Sequence, residues 1–314
     1  MKSIIYFAYI VLALFTGSAI LAYLITPDKS RFCNTQVLEN AFLKPMSKAC
    51  FKSSEDTIVT RTIKERINGS NDFQKLTLAD STDTQVKCRY YMLGTDRYGR
   101  DLLSRLIIGI RYTLLVALLS VIFAMTIGVF FGAIAGYYGG KTDKIISFII
   151  GIFWALPTIL LAFVILMTFG RNISSLFLSI GITIWADIAR LVRGLVISIK
   201  QQYFVQASRA MGYSDHRIIV SQILPNIGGP LLVQCSSNFA MAVLLESGLS
   251  FMGLGLQAPI PTLGNILQDQ YTQAFNGQIL QSLIPAIVLV LLILSFQIIA
   301  NHLRDKLDVK LIKK

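Results

Sequence analysis

Tyr203–Pro225 reads YFVQASRAMGYSDHRIIVSQILP, a polar island between long apolar runs. Gln206-Ala207-Ser208 is followed after three residues by Gly212, and the island closes on Leu224-Pro225. The pattern predicts a short helix, a glycine stop, and a second helix leading back into an apolar segment. Gly212 suits the left-handed position that ends a helix. Ser214 fits the N-cap of the next helix, and Asp215 favours its positive end. The small residues Ala207, Ser208 and Ala210 leave a surface that another protein can approach closely. Spacing alone fits two readings equally: a docking segment, or a plain loop lying on a membrane surface.

The composition around the island decides the class. The chain has 314 residues, 54% hydrophobic and only 15% charged, with a mean hydropathy of +0.62. Soluble domains are about 25% charged, so this is an integral membrane protein. The net charge of +12 sits mainly in loops and tails, as the positive-inside rule requires. No aromatic-basic alternation points to nucleic acid. Two histidines and four scattered cysteines give no metal-ligand spacing, so neither a metal nor another cofactor is expected.

A membrane-crossing helix takes about 20 residues. The first apolar run, Ile4–Ile25, exceeds a signal-peptide core and lacks an A-x-A-like site before Thr26, so it reads as an uncleaved span. Five more follow: Tyr112–Ala135, Ile145–Thr168, Ile173–Val192, Gly229–Leu249 and Leu280–Ala300. Lys141, Lys144, Arg193, Lys200, Arg209, Arg217 and the tail cations fall on one side, whereas the 257–278 loop carries no Lys or Arg. The expectation is a multi-pass bacterial inner-membrane protein with both termini and the island in the cytoplasm. The polar stretch Pro27–Tyr91 then faces outward. It holds Cys33, Cys50 and Cys88. One disulfide among the three would leave a thiol over, and three thiols fit as well. The organisation expected is a first helix at 1–26, an extracytoplasmic segment at 27–104, a permease domain at 105–303 and a basic tail at 304–314.

Other motifs carry chemistry or only mimic it. In Leu93-Gly94-Thr95-Asp96-Arg97-Tyr98-Gly99-Arg100-Asp101, Thr95 or Asp96 can cap the helix that follows, and Asp101 and Arg105 have the spacing of a helical ion pair. Ala135-Gly136-Tyr137-Tyr138-Gly139-Gly140-Lys141-Thr142 resembles a phosphate-binding loop, but Ala135 stands where glycine is needed and a membrane helix precedes it. A glycine turn with interfacial tyrosines accounts for it better. Gly128, Gly132 and Gly136 repeat at the small-residue spacing of close helix packing. Asp187 and Arg190 read as an ion pair that lets a span carry both charges. Gln234, Ser237, Asn238 and Glu246 make the fifth span polar, a candidate pore-side or gating helix. The glycine-rich stretch after Glu246 reads as broken or re-entrant backbone. No nucleophile, base and orienting group come together, so no catalytic residue is expected.

These residues together resemble the permeases of type I ABC importers. The Gln206-Ala207-Ser208…Gly212…Leu224-Pro225 island is similar to their EAA loop, with Gln206 where glutamate is common and Ser208 where the second alanine stands. Gly94, Thr95, Asp96, Gly99, Arg100 and Asp101 match the GTDxxGRD segment of the dipeptide/oligopeptide/nickel family. Glu246–Gly255 resembles its ExGLSFLGLG segment, and Asn301–Asp308 its closing segment. The likeness runs from Leu93 to Asp308 and is similar to the C-type subunit.

The resemblance implies an all-α fold of six transmembrane helices with a polar extracytoplasmic insert. It also implies partners: a second homologous permease, two cytoplasmic ATPases that hydrolyse the ATP, and an extracytoplasmic substrate-binding protein, all with membrane lipid around. The island would dock in a groove of one ATPase. Peptide import is the function implied, with nickel or another small solute as the alternative within the family. A stand-alone channel or secondary carrier is the alternative from another class, and a membrane enzyme the third.

Overall fold

The computed structural model describes residues 2–28, 30–53, 85–274 and 279–312, with residues 2, 50–53, 85–88, 272 and 307–312 described by backbone alone. About half of the polar insert and the last two lysines lie outside the described residues. So do the side chains of Cys50 and Cys88. The helices are α1 (Lys2–Ile20), α2 (Ala22–Ile25), α3 (Leu102–Tyr138), α4 (Gly140–Ala155), α5 (Thr158–Phe169), α6 (Ile173–Lys200), α7 (Tyr203–Ala210), α8 (Asp215–Ile218), α9 (Leu224–Asn226), α10 (Gly228–Phe251), α11 (Leu263–Ala274) and α12 (Ile279–Ile312). A two-stranded antiparallel sheet pairs β1 (Ser47–Ser53) with β2 (Gln85–Tyr91), Cys50 opposite Cys88.

Five helices among the described residues are long and apolar enough to cross a membrane: α1, α3, α6, α10 and α12. The pair α4 and α5 makes a sixth crossing if it counts as one span, but it is bent by 95°. The run Ile145–Thr168 therefore holds a break, and Pro157 is its cause. Proline lacks the N–H that would continue the helix, and it pushes the preceding residue out of the helical region. Leu156 accordingly sits at φ −98°, ψ 138°.

Contacts divide the chain into two compact units, one of residues 1–13, 115–249 and 290–314, the other of residues 14–114 and 250–289. In the first, α6 buries Ile180, Ile184, Ile188, Val192 and Val196 on one stripe, each at most 1% exposed. That four-residue repeat is one face of a helix. The glycine row of α3 lies against this stripe. A Cβ added at Gly128 would stand 2.7 Å from Ile188, at Gly132 2.6 Å from the Ala189 carbonyl, and at Gly136 2.8 Å from the Arg193 carbonyl. Close packing of two helices is thus the role of the repeat. The α6 helix begins at Asn172, whose side chain accepts from the Ser175 N–H at 2.8 Å.

In the second unit, residues 30–46 wrap the segment before α3. Leu43 N–H donates to Thr95 Oγ1 at 2.9 Å, and Phe42 N–H donates to the Asp96 carbonyl at 3.2 Å. Cys33 is buried, and its thiol donates to the Asp28 carbonyl at 3.4 Å. On the α11 side, Leu263 N–H donates to Thr113 Oγ1 at 3.2 Å.

Candidate functional site

The island folds as α7, a turn through Gly212, α8, a π-helical turn at Ile219–Ile223, and α9, which runs into α10. Gly212 has φ +79° and stops the first helix. The wide turn at Ile219–Ile223 comes just ahead of Pro225, where the missing proline N–H frees a carbonyl and a wider turn relieves the ring's clash. Ser214 occupies the N-cap of α8 without a side-chain cap bond.

Most of this loop is exposed. Tyr203 is 90% exposed and Met211 64%, while Gln206, Ala207, Arg209, Ala210, Gly212 and Pro225 are also exposed and Leu224 is half-buried. A thin stripe of Val205, Ser208, Ile218 and Ile223 faces inward. Ser208 spends its hydroxyl on the Phe204 carbonyl at 2.9 Å, and Gln206 donates to the Gln201 carbonyl at 3.0 Å. Two charged side chains of the loop converge on one buried group. Tyr137 Oη donates to Asp215 Oδ1 at 2.6 Å and accepts from Arg209 Nη2 at 3.0 Å. The bond to Tyr137 holds the Arg209 guanidinium above its ordinary pKa. Nearby, Asp143 grips Arg193 through both carboxylate oxygens.

The Gly94–Asp101 segment is the opposite kind of site. Asp96 is fully buried and accepts from Arg100 Nε at 2.6 Å, Arg105 Nη1 at 2.7 Å, and the Tyr98 and Arg100 N–H groups. Asp269 on α11 closes the cluster, bonding Arg97 at 3.0 Å, Arg100 at 2.9 Å and Arg105 at 3.1 Å. Asn34 accepts from Arg100 at 3.1 Å, and the Tyr98 ring lies under the Arg97 and Arg100 guanidiniums. The backbone is equally committed. Gly94 and Gly99 have φ of +80° and +71°, and a Cβ on Gly99 would stand 1.8 Å from the Val37 carbonyl. Only glycine fits there.

Three expectations need correction. The cap of α3 is Asp101, not Thr95 or Asp96: its carboxylate accepts from Ser104 N–H at 3.1 Å and from the Ser104 hydroxyl. Arg105 consequently pairs with Asp96 and Asp269 rather than Asp101. Burial pushes the Asp101 carboxyl above its usual pKa despite the Ser104 bonds. Asp187 and Arg190 form no ion pair among the described residues; the Arg190 guanidinium lies 3.6 Å from the Trp154 ring centroid instead.

On α10, Gln234 donates to Asn238 Oδ1 at 3.1 Å, with Ser237 half-buried beside them. Glu246 is fully buried and accepts from the Ser247 hydroxyl at 3.2 Å. The helix continues through Glu246 to Phe251, so the irregular backbone begins only at Met252.

Sequence reasoning missed Asp269 and the loop role of Tyr137. Asp269 carried one signal, being the sole formally charged residue between Glu246 and Arg304.

The family described as "Binding-protein-dependent transport system inner membrane component" matches residues 128–309. The dipeptide transport system permease protein DppC of Lactococcus lactis subsp. cremoris is 33% identical over 279 residues, covering 86% of this chain and 81% of that protein. The oligopeptide transport system permease protein OppC of Haemophilus influenzae is 39% identical over 221 residues, covering 70% of this chain and 71% of that one. Among solved structures, a chain of the inward-facing MetNI methionine ABC transporter has a TM-score of 0.53 at 22% identity, covering 64% of this chain and 95% of that one. That likeness places the fold with type I ABC importer permeases. With apolar helices, ordered motifs, fold and family match in agreement, the chain belongs to the family of inner-membrane components of binding-protein-dependent transport systems.

Proposed function

We propose that this chain is the C-type permease subunit of an ATP-driven peptide importer and that residues 203–225 are its coupling loop. The observation that carries the proposal is the exposed helix–glycine–helix at Tyr203–Pro225, joined without an intervening flexible loop to α10. ATP-driven closure of an ATPase pair can move a membrane helix only through a stiff lever, and this loop supplies one. The dipeptide and oligopeptide permeases among its relatives support a peptide cargo. The assembly holds a second homologous permease, two ATPase subunits and an extracytoplasmic binding protein. The permease domain is 105–303. Both termini and the loop face the cytoplasm, and 27–104 faces outward. Gln234, Ser237, Asn238 and Glu246 make α10 the pore-side helix, because polar groups within a span are tolerated only inside protein or beside water. Catalysis of ATP hydrolysis resides in the partner subunits, not in this chain.

Reconstitution tests the reading. The complete complex in proteoliposomes takes up labelled dipeptide only with ATP inside and binding protein outside. Uptake by this chain without ATPase subunits would establish a carrier or channel instead. Uptake of nickel that dipeptides do not inhibit would move the cargo to the family's other branch.

A further inference from the structure

The glycine-rich stretch Ala135–Thr142, rejected as a phosphate-binding loop, acquires a role from its geometry. We infer that Tyr137 is a positioning residue for coupling: its buried phenol clamps both helices of the 203–225 loop to α3, so that motion of the loop is delivered to α3 as well as to α10. The inference rests on the coupling-loop reading and adds a second route for the force.

Five observations carry it. Tyr137 is 2% exposed, on the last turn of α3. Its hydroxyl serves two masters on opposite sides of Gly212, donating to Asp215 on α8 at 2.6 Å and accepting from Arg209 on α7 at 3.0 Å. Lys200, the last residue of α6, donates to the Tyr137 carbonyl and stands 5.3 Å from the ring centroid. One residue earlier, Gly136 lets α3 lie directly on the Arg193 carbonyl and Val196 of α6. Gly212 itself has no atom within 4 Å of a Cβ built on it. That side of the turn is open, and the turn itself is closed by backbone bonds from Gly212 N–H to the Arg209 carbonyl at 3.0 Å and from Tyr213 N–H to the Ser208 carbonyl at 3.2 Å. The shared phenol oxygen adds a side-chain tie across that turn, holding a base and an acid that are otherwise exposed. Hydrogen bonds to charged groups are stronger than neutral ones, so one hydroxyl can fix both helices. Without it, the loop still presents the same surface to an ATPase but hinges at Gly212 when pushed.

The test uses the full complex in proteoliposomes and measures three quantities: ATPase subunits retained on purification, ATP hydrolysed, and peptide taken up. Tyr137→Phe keeps the ring, its packing and its cation contacts and removes only the oxygen. The expected result is normal ATPase retention and hydrolysis with uptake per ATP lowered about tenfold, the loss typical of a hydrogen bond to a charged group. Asp215→Ala, at an exposed position, lowers the same ratio, and it decides the matter if the phenylalanine variant does not accumulate. A control, Gly212→Val, separates the two levels of the proposal. If Gly212→Val uncouples while Tyr137→Phe and Asp215→Ala keep the wild-type ratio, the clamp is refuted and the coupling loop stands. If all three keep it, the coupling-loop reading itself has failed.

Discussion

The Gly94–Asp101 segment and the Tyr203–Pro225 loop both carry family motifs built of glycine, small and charged residues, yet they treat those residues in opposite ways. In the first, Asp96, Arg100 and Arg105 are at most 5% exposed and bonded to one another and to Asp269. In the second, Gln206, Ala207 and Gly212 stand in the open, and a single buried tyrosine collects the charges. Gly99 is hemmed in by the Val37 carbonyl, whereas a Cβ on Gly212 would meet open space. A motif therefore does not say whether its residues are committed to the fold or held out for a partner. Burial does.

The largest break in this contrast comes from the buried cluster. Asp96→Ala takes from Arg100 and Arg105 the buried one of the two carboxylates they share, and such a change destabilises by about 3–5 kcal/mol. The variant is expected to vanish from the membrane fraction or to melt far below wild type in detergent. Wild-type accumulation and melting would mean that the cluster is solvated. A matched pair of glycine substitutions comes next. Gly99→Ala meets both a left-handed φ and a carbonyl in its path, so it also fails to accumulate. Gly212→Ala meets only the left-handed φ, worth about 1–2 kcal/mol, so it reaches the membrane at near wild-type levels and is impaired in uptake. Similar accumulation of the two would erase the contrast.

The smallest effect concerns Asp101. Its folded pKa is raised by burial, so the folded state binds its proton more tightly than the unfolded chain does. Stability from this group is then greatest below the unfolded value and falls as pH rises from there through the raised folded value. Asp101→Asn keeps an acceptor for Ser104 and removes the ionisation. Melting curves across acidic pH should show the variant gaining on wild type as pH rises through that window, with no further change above it. A variant that loses ground on rising pH would reverse the sign and remove desolvation as the cause.

Much of the architecture was legible because lipid leaves few solutions. Tyr112–Ala135 and Gly229–Leu249 sit wholly inside α3 and α10. The spacing of Gly128, Gly132 and Gly136 announced a helix contact, and Gly212 announced a helix stop. The charge partners were not legible. Asp101 and Arg105 have ideal helical spacing, but Asp269 lies 164 residues from Arg105 and wins it. Local spacing reports which residues share a helix face, not which distant carboxylate arrives there. The hydroxyl of Tyr137 was hidden for the same reason: its partners lie 72 and 78 residues away. The bend at Pro157 was a different omission, since Leu156-Pro157 stood in plain view within the Ile145–Thr168 run.

The central claim is that the open loop belongs to an ATPase. It is tested most directly by placing a photo-crosslinking phenylalanine analogue at Tyr203, 90% exposed on α7, and in parallel at Met46, 64% exposed at the end of the 30–46 segment. Irradiation of the assembled complex is predicted to join the ATPase subunit to position 203 and not to position 46. A crosslink from Met46 to the ATPase, or none from Tyr203 in a complex that retains its ATPases, would contradict the account.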